Sequence, residues 1–264
     1  MDAVDRWDPI RRAVDDTRSG SLAITLRAAQ GVRLLRTRRE VLKAGRALLR
    51  AHPAMGSLWR LVIEAHEADD VAQAVDRFAG GLARASETAA DQIRWVAGRR
   101  RQVVVTCSAS STVEAALERI ASRVAGVRCT VSLPGGEGRR FAKRLADAGF
   151  EAEAVPDAAV AGACQDADLA LVGADAVTDD GVVNKVGTYP LALAAADAGI
   201  GCYALAPTHK LVPAALIAED DAFETTPLRL FDAVLTERGP RRAAAITRAI
   251  TRIDVPLAVR RIAP

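Results

Sequence analysis

Polar residues in the second half of the chain place a carboxylate, an amide and a cation close together in sequence. Asp175 follows the apolar run Leu169–Val172 almost directly, and Asn184 and Lys185 stand just before a Gly-Thr pair that is typical of a helix start. A carboxylate and an amide suit sugar hydroxyls, and a cation beside free main-chain amides suits phosphate. This order of residue types indicates a site for a polyol phosphate. In the alternative interpretation, Asp175 caps a helix and Lys185 is a surface charge.

A second candidate loop, residues 106–112, consists of small and hydroxyl side chains between an apolar run and a helical segment. Its members Cys107 and Ser108 could face a hydroxyl-rich ligand, and the amides of the following helix start favour an anion. Helix capping explains two of the hydroxyls without a ligand. A third loop, residues 132–139, is rich in glycine but matches neither the P-loop nor the dinucleotide fingerprint. The sequence therefore gives no support to a nucleotide-dependent dehydrogenase.

The composition is that of a folded protein, because half of the 264 residues are apolar and can build a sizeable core. No segment reaches the roughly 18 apolar residues of a membrane span, and the first residues lack the order of a signal peptide. We therefore expect a cytoplasmic protein with no membrane partner. The net charge is +3, but the arginines recur beside acids on helical faces, a pattern that does not favour a nucleic-acid partner.

The cysteines and histidines are too scattered to suggest a metal centre or a disulfide framework. The four cysteines are Cys107, Cys129, Cys164 and Cys202, and they include no CxxC pair. Three of them lie in or beside apolar runs that resemble strands, which suits reduced, buried thiols. The three histidines are equally dispersed. We expect no metal and no other cofactor.

The elements that must position these loops change character near residue 100. Residues 1–100 show alanine, leucine and arginine at helical spacing, with Asp8-Pro9 as a helix start and breaks expected at 18–21, 52–53 and 80–81. This pattern predicts a helical subdomain of four or five helices. Residues 101–264 form the second predicted domain, which holds the phosphosugar site.

Short apolar runs alternate with amphipathic helices in that second domain. The runs are Val103–Val105, Val127–Val131, Ala152–Val155, Leu169–Val172 and Cys202–Leu205. Strands that are apolar on both faces and separated by helices indicate a parallel sheet with right-handed crossovers. The predicted fold class is α/β, with an N-terminal helical subdomain and a Rossmann-like parallel-sheet C-terminal domain. Ligands bind such sheets at the carboxyl ends of the strands, where the candidate loops lie.

These residues also carry a resemblance to a known family. The matching motifs are Gly173-Ala174-Asp175, Asn184 to Tyr189, Ala206 to Lys210 and Phe223 to Pro227, with weaker echoes at 18–20, 52–55, 106–108 and 132–139. In order and spacing they resemble the family that unites the α, β and δ regulatory subunits of translation initiation factor 2B with methylthioribose-1-phosphate isomerase and ribose-1,5-bisphosphate isomerase. The resemblance implies the predicted two-part fold. It also implies a homodimer, which we further expect from the apolar segment Ile253–Ile262.

In the isomerases of this family, a cysteine and an aspartate carry out the proton transfers between an aldose 1-phosphate and a ketose. Asp175 matches the aspartate, whereas Ser108 stands at the thiol position and Cys107 where a histidine is usual. The resemblance therefore marks Asp175, Ser108 and Cys107 as the catalytic candidates. A serine hydroxyl is a much weaker acid than a thiol of pKa about 8.5, so the serine is poorly suited to the same proton transfer.

The resemblance also assigns a substrate-binding set: Arg18, Gly20, His52, Arg139, Asn184 and Lys185. Two arginines that hold phosphate in the isomerases are replaced here by His52 and Leu133, and leucine cannot bind phosphate. Arg18 and Arg139 could supply the missing charge. The residues at the centre of the pocket are therefore retained, while the residues that bind phosphate differ from those of the isomerases.

Two functions remain open at this point. The favoured hypothesis is an initiation factor 2B-like protein that binds a phosphorylated sugar or nucleotide and lacks the standard isomerase activity. The alternative is an aldose–ketose isomerase, an intramolecular oxidoreductase, that acts on a ribose 1-phosphate-type substrate with an altered site. The small phosphorylated ligand is the expected partner in both.

Overall fold

The computed structural model describes residues 5–218 and 220–263, which form eleven α-helices and ten strands. The helices are α1 (Asp8–Val14), α2 (Ser21–Val32), α3 (Arg38–Ala51), α4 (Gly56–Glu67), α5 (Val71–Asp91), α6 (Ser111–Arg119), α7 (Glu137–Asp147), α8 (Val160–Gln165), α9 (Thr188–Ala198), α10 (Ala243–Ile250) and α11 (Leu257–Arg260). The strands are β1 (Gln102–Cys107), β2 (Val124–Thr130), β3 (Ala152–Val155), β4 (Leu169–Val172), β5 (Ala176–Val177), β6 (Gly181–Lys185), β7 (Gly201–Leu205), β8 (Phe223–Pro227), β9 (Ala233–Thr236) and β10 (Gly239–Arg241). Over the described residues, no helix combines the length and apolar character needed to cross a bilayer.

The first five helices pack their apolar faces into one core. α3 begins at a capping box, in which Thr37 Oγ1 accepts a hydrogen bond from the Glu40 amide at 3.2 Å. α5 begins similarly, where Asp70 accepts from the Gln73 amide at 2.9 Å. These caps satisfy amides that a helix start otherwise leaves free. The local sequence therefore sets where the helices begin, and their buried faces hold them together.

Two of the three expected helix breaks are present, between α1 and α2 and after α3. The expected break at Gly80-Gly81 is wrong, because α5 continues from Val71 to Asp91. Gly81 allows close packing instead. A Cβ atom added to Gly81 would lie 3.1 Å from His209 Nε2, so the missing side chain lets that ring approach the helix.

The main sheet of the described chain has the order β3-β2-β1-β4-β7-β9-β10. All neighbouring pairs are parallel except β9 and β10. The five strands predicted from the sequence are confirmed, as is the predicted α/β fold class. Strand order reverses between β1 and β4, and a reversal of this kind opens a crevice at the carboxyl ends of the two strands. The loops that follow β1 and β4 contain Ser108 and Asp175.

A second, three-stranded antiparallel sheet, β5-β6-β8, was not foreseen from the sequence. Its strands β5 and β6 are joined by the turn 178–180, in which Thr178 Oγ1 accepts from the Gly181 amide at 3.1 Å. β6 then carries Asn184 and Lys185 back towards the carboxyl end of β4. This small sheet sets the position of both residues beside Asp175.

The C-terminal segment returns to the helical region of its own chain. Val255, Val259 and Ile262 are buried in the core formed by the first helices. A Cβ atom at Gly45 of α3 would lie 2.9 Å from Ile262 Cδ1. The apolar character of residues 253–262 is therefore explained within one chain, so this segment no longer requires a dimer.

Candidate functional site

A cavity of about 700 Å³ lies between the helical region and the carboxyl ends of β1 and β4. Seven of the residues singled out from the sequence line it: Arg18, Gly20, His52, Ser108, Asp175, Asn184 and Lys185. A neighbouring cavity of about 490 Å³, lined mainly by residues from the segment 214–225, includes none of the predicted residues. The larger cavity is therefore the candidate site.

The two loops at the strand-order reversal touch each other in the cavity wall. Ser108 follows β1 with a φ of 64° and donates its amide to Ser132 Oγ at 2.8 Å. Ser110 caps α6 by accepting from the Val113 amide at 3.3 Å. A Cβ atom at Gly173 would lie 2.6 Å from Ser110 Oγ. The left-handed backbone of a non-glycine residue and this close approach show that both loops are conformationally constrained.

Asp175 and Asn184 are held by short-range contacts of the small sheet. The Asp175 amide donates to the Val183 carbonyl at 2.8 Å. Asn184 is buried, and its Nδ2 donates to Thr188 Oγ1 at 2.9 Å. The first turn of α9 is occupied by Glu224, which accepts from the Gly187 and Tyr189 amides at 2.8 Å each. The main chain at Asp175 and the side-chain amide of Asn184 are thus fixed, while the start of α9 already has its own anion.

Lys210 forms the floor of the cavity behind Asp175. Its Nζ donates to Ser21 Oγ at 3.0 Å and to the Ala174 carbonyl. Burial raises the pKa of the Asp175 carboxyl above its ordinary value, and the opposing pull of Lys210 is the largest of those that lower it. Burial likewise lowers the pKa of Lys210, against the attraction of Asp175. The two groups are each other's main charge partner in a region that water reaches poorly.

The helical wall supplies the groups that suit an anion. α2 starts at the cavity with Gly20 as its N-cap, and within the described chain no side chain caps its first turn. The loop before it is shaped by Asp16, which accepts from the Arg18 amide at 3.0 Å and the Ser19 amide at 2.9 Å. Free first-turn amides are groups of the type that binds phosphate, and Arg18 lines the same cavity.

His52 lies at the same wall and is anchored to the helical region. It is buried, and its Nε2–H donates to the Ala13 carbonyl at 2.7 Å. This bond joins the end of α3 to α1. The ring therefore lines the cavity in a fixed orientation, with one nitrogen already engaged.

Two predicted residues lie outside the cavity lining. Cys107 is buried, with its Sγ 3.4 Å from Ser132 Oγ and 3.9 Å from the Val186 carbonyl oxygen. Burial raises the pKa of its thiol, against the hydrogen bond with Ser132. Arg139 is exposed on α7. The structure does not bring either side chain to the cavity.

The lining residues that were missed as site candidates include Lys210, Ser21 and Glu137. Lys210 belongs to the motif Ala206 to Lys210, so the signal for it was present in the sequence. Glu137 lies in the glycine-rich loop, and its Oε1 is 3.3 Å from Lys185 Nζ. Among the described residues, no group of three or more His, Cys, Asp or Glu side chains is arranged to hold a metal ion.

Fold and cavity together define a Rossmann-like α/β protein whose candidate site lies between the sheet and an N-terminal helical region. The model of the Initiation factor 2 subunit family matches residues 19–243, and the chain belongs to that family.

Similar proteins include both initiation factor 2B subunit-like proteins and sugar phosphate isomerases. A translation initiation factor eIF-2B subunit 2-like protein of Pyrococcus horikoshii is 35% identical over 52% of this chain and 56% of its own. A ribose 1,5-bisphosphate isomerase of Haloferax volcanii is 34% identical over 64% of this chain and 61% of its own. The chain thus spans less than two thirds of either relative. The crystal structure of the Pyrococcus horikoshii OT3 translation initiation factor eIF-2B has a TM-score of 0.79 at 25% identity, over 90% of this chain and 97% of that one.

Proposed function

We propose that the cavity binds a phosphorylated sugar or nucleotide and that the protein lacks the standard isomerase activity of the family. The observation that carries this proposal is that Asp175, Asn184 and the start of α2, which has no side-chain cap, line the same cavity. Groups that suit hydroxyls and groups that suit phosphate line this one cavity, and the Asp175 side chain lies beside Ser21 at the start of α2. A ligand with a phosphate at one end and a polyol beside it would contact both sets of groups.

The phosphate would bind at the helical wall. The first-turn amides of α2 and the Arg18 guanidinium provide donors and positive charge there. The sugar hydroxyls would donate to Asp175 Oδ and contact Asn184. Lys210 supports Asp175 from below, since it keeps a countercharge beside the buried carboxylate.

The proton-transfer groups favour binding over isomerisation. Ser108 lines the cavity at the position that the resemblance assigns to the thiol, and a hydroxyl is a poor general acid near neutrality. Cys107 has a thiol, but it is buried against Ser132 and Val186. Neither residue offers a proton carrier opposite Asp175.

The alternative function is an aldose–ketose isomerase with an altered site. Asp175 favours it, because burial raises the pKa of the carboxyl towards the range where a group can both accept and donate a proton. An isomerase of this class moves hydrogen between two carbons of one sugar. It would need a second proton carrier, for which Ser108 is the candidate.

Calorimetry and a ketose assay on the same preparation test the proposal. Ribose 1-phosphate, ribose 5-phosphate and adenosine monophosphate are titrated first, and unphosphorylated ribose is the control. We expect saturable binding of at least one phosphorylated compound, weaker binding of ribose and no ketose product. Ketose formation would favour the isomerase, and the absence of binding by all three compounds would contradict both functions.

We also propose a homodimer, formed through α9. This helix is apolar nearly all round: Leu191, Ala192 and Ala195 pack into the sheet core, while Leu193 is 45% exposed on the other side. A helix of this composition is usually covered on both faces. Sedimentation analysis should show a dimer that Leu193→Asp dissociates. Leu257→Asp, at a leucine that is 63% exposed on α11, should leave it intact. A monomeric wild type would contradict the proposal.

A further inference from the structure

Three loops follow neighbouring strands at the carboxyl edge of the main sheet, and hydrogen bonds between side chains and main chain connect them. Asp157 follows β3, Ser132 follows β2 and Ser108 follows β1. Of these three residues, Ser108 lines the cavity and the other two do not. The loop after β2 therefore lies between Asp157 and the residue that lines the cavity.

The carboxylate of Asp157 holds the main chain of the middle loop. Its Oδ1 accepts from the Ser132 amide at 2.8 Å, and its Oδ2 accepts from the Leu133 amide at 3.0 Å. Such charge-assisted bonds to one carboxylate fix the orientation of both peptide groups. Ser132 has a φ of 60°, a conformation that a residue with a side chain keeps only when surrounding contacts hold it. The two bonds to Asp157 are contacts of this kind.

The hydroxyl of Ser132 in turn holds the loop that contains Ser108. Ser132 Oγ donates to the Thr130 carbonyl at 3.3 Å and accepts from the Ser108 amide at 2.8 Å. Burial, with a smaller contribution from the charge of Asp157, raises the pKa of the Cys107 thiol. The protonated thiol is therefore the donor in its 3.4 Å contact with Ser132 Oγ. A hydroxyl has one proton and two lone pairs, so Ser132 Oγ is fully engaged within the protein.

The conformation of Ser108 depends on its bond to Ser132. The backbone of Ser108 is also left-handed, with a φ of 64°, and its amide donates that bond. A serine is disfavoured at these backbone angles by its own Cβ atom. Without the bond, Ser108 would return to ordinary backbone angles, and its side chain would leave its present direction in the cavity wall.

We infer that Asp157 is a positioning residue for the candidate site: it acts through Ser132 to hold Ser108 in the conformation in which Ser108 lines the cavity. The inference rests on the proposed function for the contribution of Ser108 to binding, and it adds a residue that does not itself touch the ligand. Loss of the Asp157 carboxylate lets Ser108 occupy other conformations. The apparent affinity then falls by the fraction of molecules that keep the competent one.

The test combines calorimetry with hydrogen exchange of the Ser108 amide, measured by NMR. The compounds are ribose 1-phosphate, ribose 5-phosphate and adenosine monophosphate, and the proteins are the wild type, Asp157→Ala, Asp157→Asn and the control Asp168→Ala. Asp168 also accepts from a main-chain amide, that of Val103 at 2.8 Å, but it lies at the amino end of β4 and does not line the cavity.

In Asp157→Ala, we expect the best-bound compound to bind about tenfold more weakly, the result if about a tenth of the molecules keep the competent conformation. The Ser108 amide should also exchange faster. Asp157→Asn retains one acceptor oxygen and should give intermediate values, whereas Asp168→Ala should match the wild type in both measurements.

A double-mutant cycle shows whether the effect passes through Ser108. Asp157→Ala should weaken binding less in a Ser108→Ala background than in the wild type, because the hydroxyl that Asp157 positions is already absent. Equal losses in the two backgrounds would show that Asp157 acts by another route and would overturn the inference.

Wild-type affinity in Asp157→Ala, or an unchanged exchange rate of the Ser108 amide, would overturn the inference and leave the proposed function in place. An equal loss of affinity in Asp168→Ala would reveal a general loss of stability and would also overturn it. If none of the three compounds binds the wild type, the proposed function fails, while the exchange rates still decide whether Asp157 holds Ser108. Asp157→Asn provides the same comparison if Asp157→Ala does not fold.

Discussion

Lys210 Nζ donates a hydrogen bond to Ser21 Oγ at 3.0 Å, although the two residues are 189 positions apart in the chain. The bond joins the loop after β7 to the first turn of α2. It also holds a cation next to Asp175, close to the start of α2. One side chain therefore both links the helical region to the loop after β7 and sets the charge of the cavity floor.

The first prediction concerns the pKa of Asp175, which we expect Lys210→Met to raise further. Lys210 is the strongest influence that lowers this pKa, and Lys185 is a weaker one. Lys185→Met, the matched control, should therefore raise it less. Carbon NMR titration of the Asp175 carboxyl measures both. A larger rise in the Lys185 variant would show that Lys210 is not the main charge partner.

This shift has a consequence for stability. A carboxyl whose pKa is higher in the folded state than in the unfolded chain stabilises the fold at low pH, and that contribution is lost as the pH rises through the folded-state pKa. The free energy of unfolding of Lys210→Met should therefore fall more steeply than that of the wild type as the pH rises above the ordinary aspartate range.

The second prediction concerns Arg18. Arg18→Ala should weaken binding of a phosphorylated sugar by about tenfold, because one charge-assisted contact to phosphate is lost. Binding of the unphosphorylated sugar should not change. Arg12→Ala, at an arginine that pairs with Asp8 on α1, is the control. Equal losses for both sugars in calorimetry would show that Arg18 does not bind the phosphate.

The third prediction is a loss of stability in mild acid that originates at His209. Its ring packs edge-on against Phe78 with 5.3 Å between ring centres, and its Nδ1 is buried without a hydrogen-bond partner in the described structure. Burial lowers the pKa of His209, against the nearby carboxylates of Glu237 and Glu64. The unfolded chain then takes up a proton first, so stability falls as the pH drops below about 6.5.

Denaturant unfolding at pH 7.5, 6.5 and 5.5 measures this effect. His209→Gln should lose less stability than the wild type between pH 6.5 and 5.5. Burial also lowers the pKa of His66, so His66→Gln measures the part of the acid sensitivity that comes from this second histidine. Identical slopes in the wild type and His209→Gln would place the acid sensitivity elsewhere.

The fourth prediction concerns the thiols. All four cysteines are free and buried, and burial raises the pKa of Cys129 and of Cys202 to about 12 each. Protonated, buried thiols react slowly. A thiol reagent should modify the native protein slowly and the denatured protein at four positions. Two reactive thiols after denaturation would reveal a disulfide.

The main sheet could be predicted from the sequence, because most of its parallel strands are short apolar runs that can be recognised from the local sequence. Ser108 and Asp175 follow two of these strands, so their position at the carboxyl ends of the strands could be predicted as well. The small sheet was not foreseen, because β5 has two residues and β8 contains Glu224 and two threonines among its five. Such strands form because they pair with neighbouring strands, and their own residue pattern does not predict them.

Contacts between distant segments explain the other differences. Lys210 reaches the cavity floor only because the loop after β7 lies beneath α2, which no local pattern shows. Arg139 was predicted to supply positive charge near the glycine-rich loop. Because α7 starts at Glu137, the helix directs Glu137 to the cavity and leaves the Arg139 side chain in solvent. The residue at which the helix starts therefore determines that Glu137, and not Arg139, lines the cavity.

The central claim is that Asp175 holds the hydroxyls of a phosphorylated sugar, and calorimetry of Asp175→Ala and Asp175→Asn tests it most directly. Asp147→Asn, at an exposed acid that pairs with Lys143, is the control. An unmade hydrogen bond to a charged group costs about 1.5–3 kcal/mol, so Asp175→Ala should bind tenfold to a hundredfold more weakly. Asp175→Asn should retain most of the binding. Unchanged affinity in Asp175→Ala, with the control also unchanged, would contradict the account.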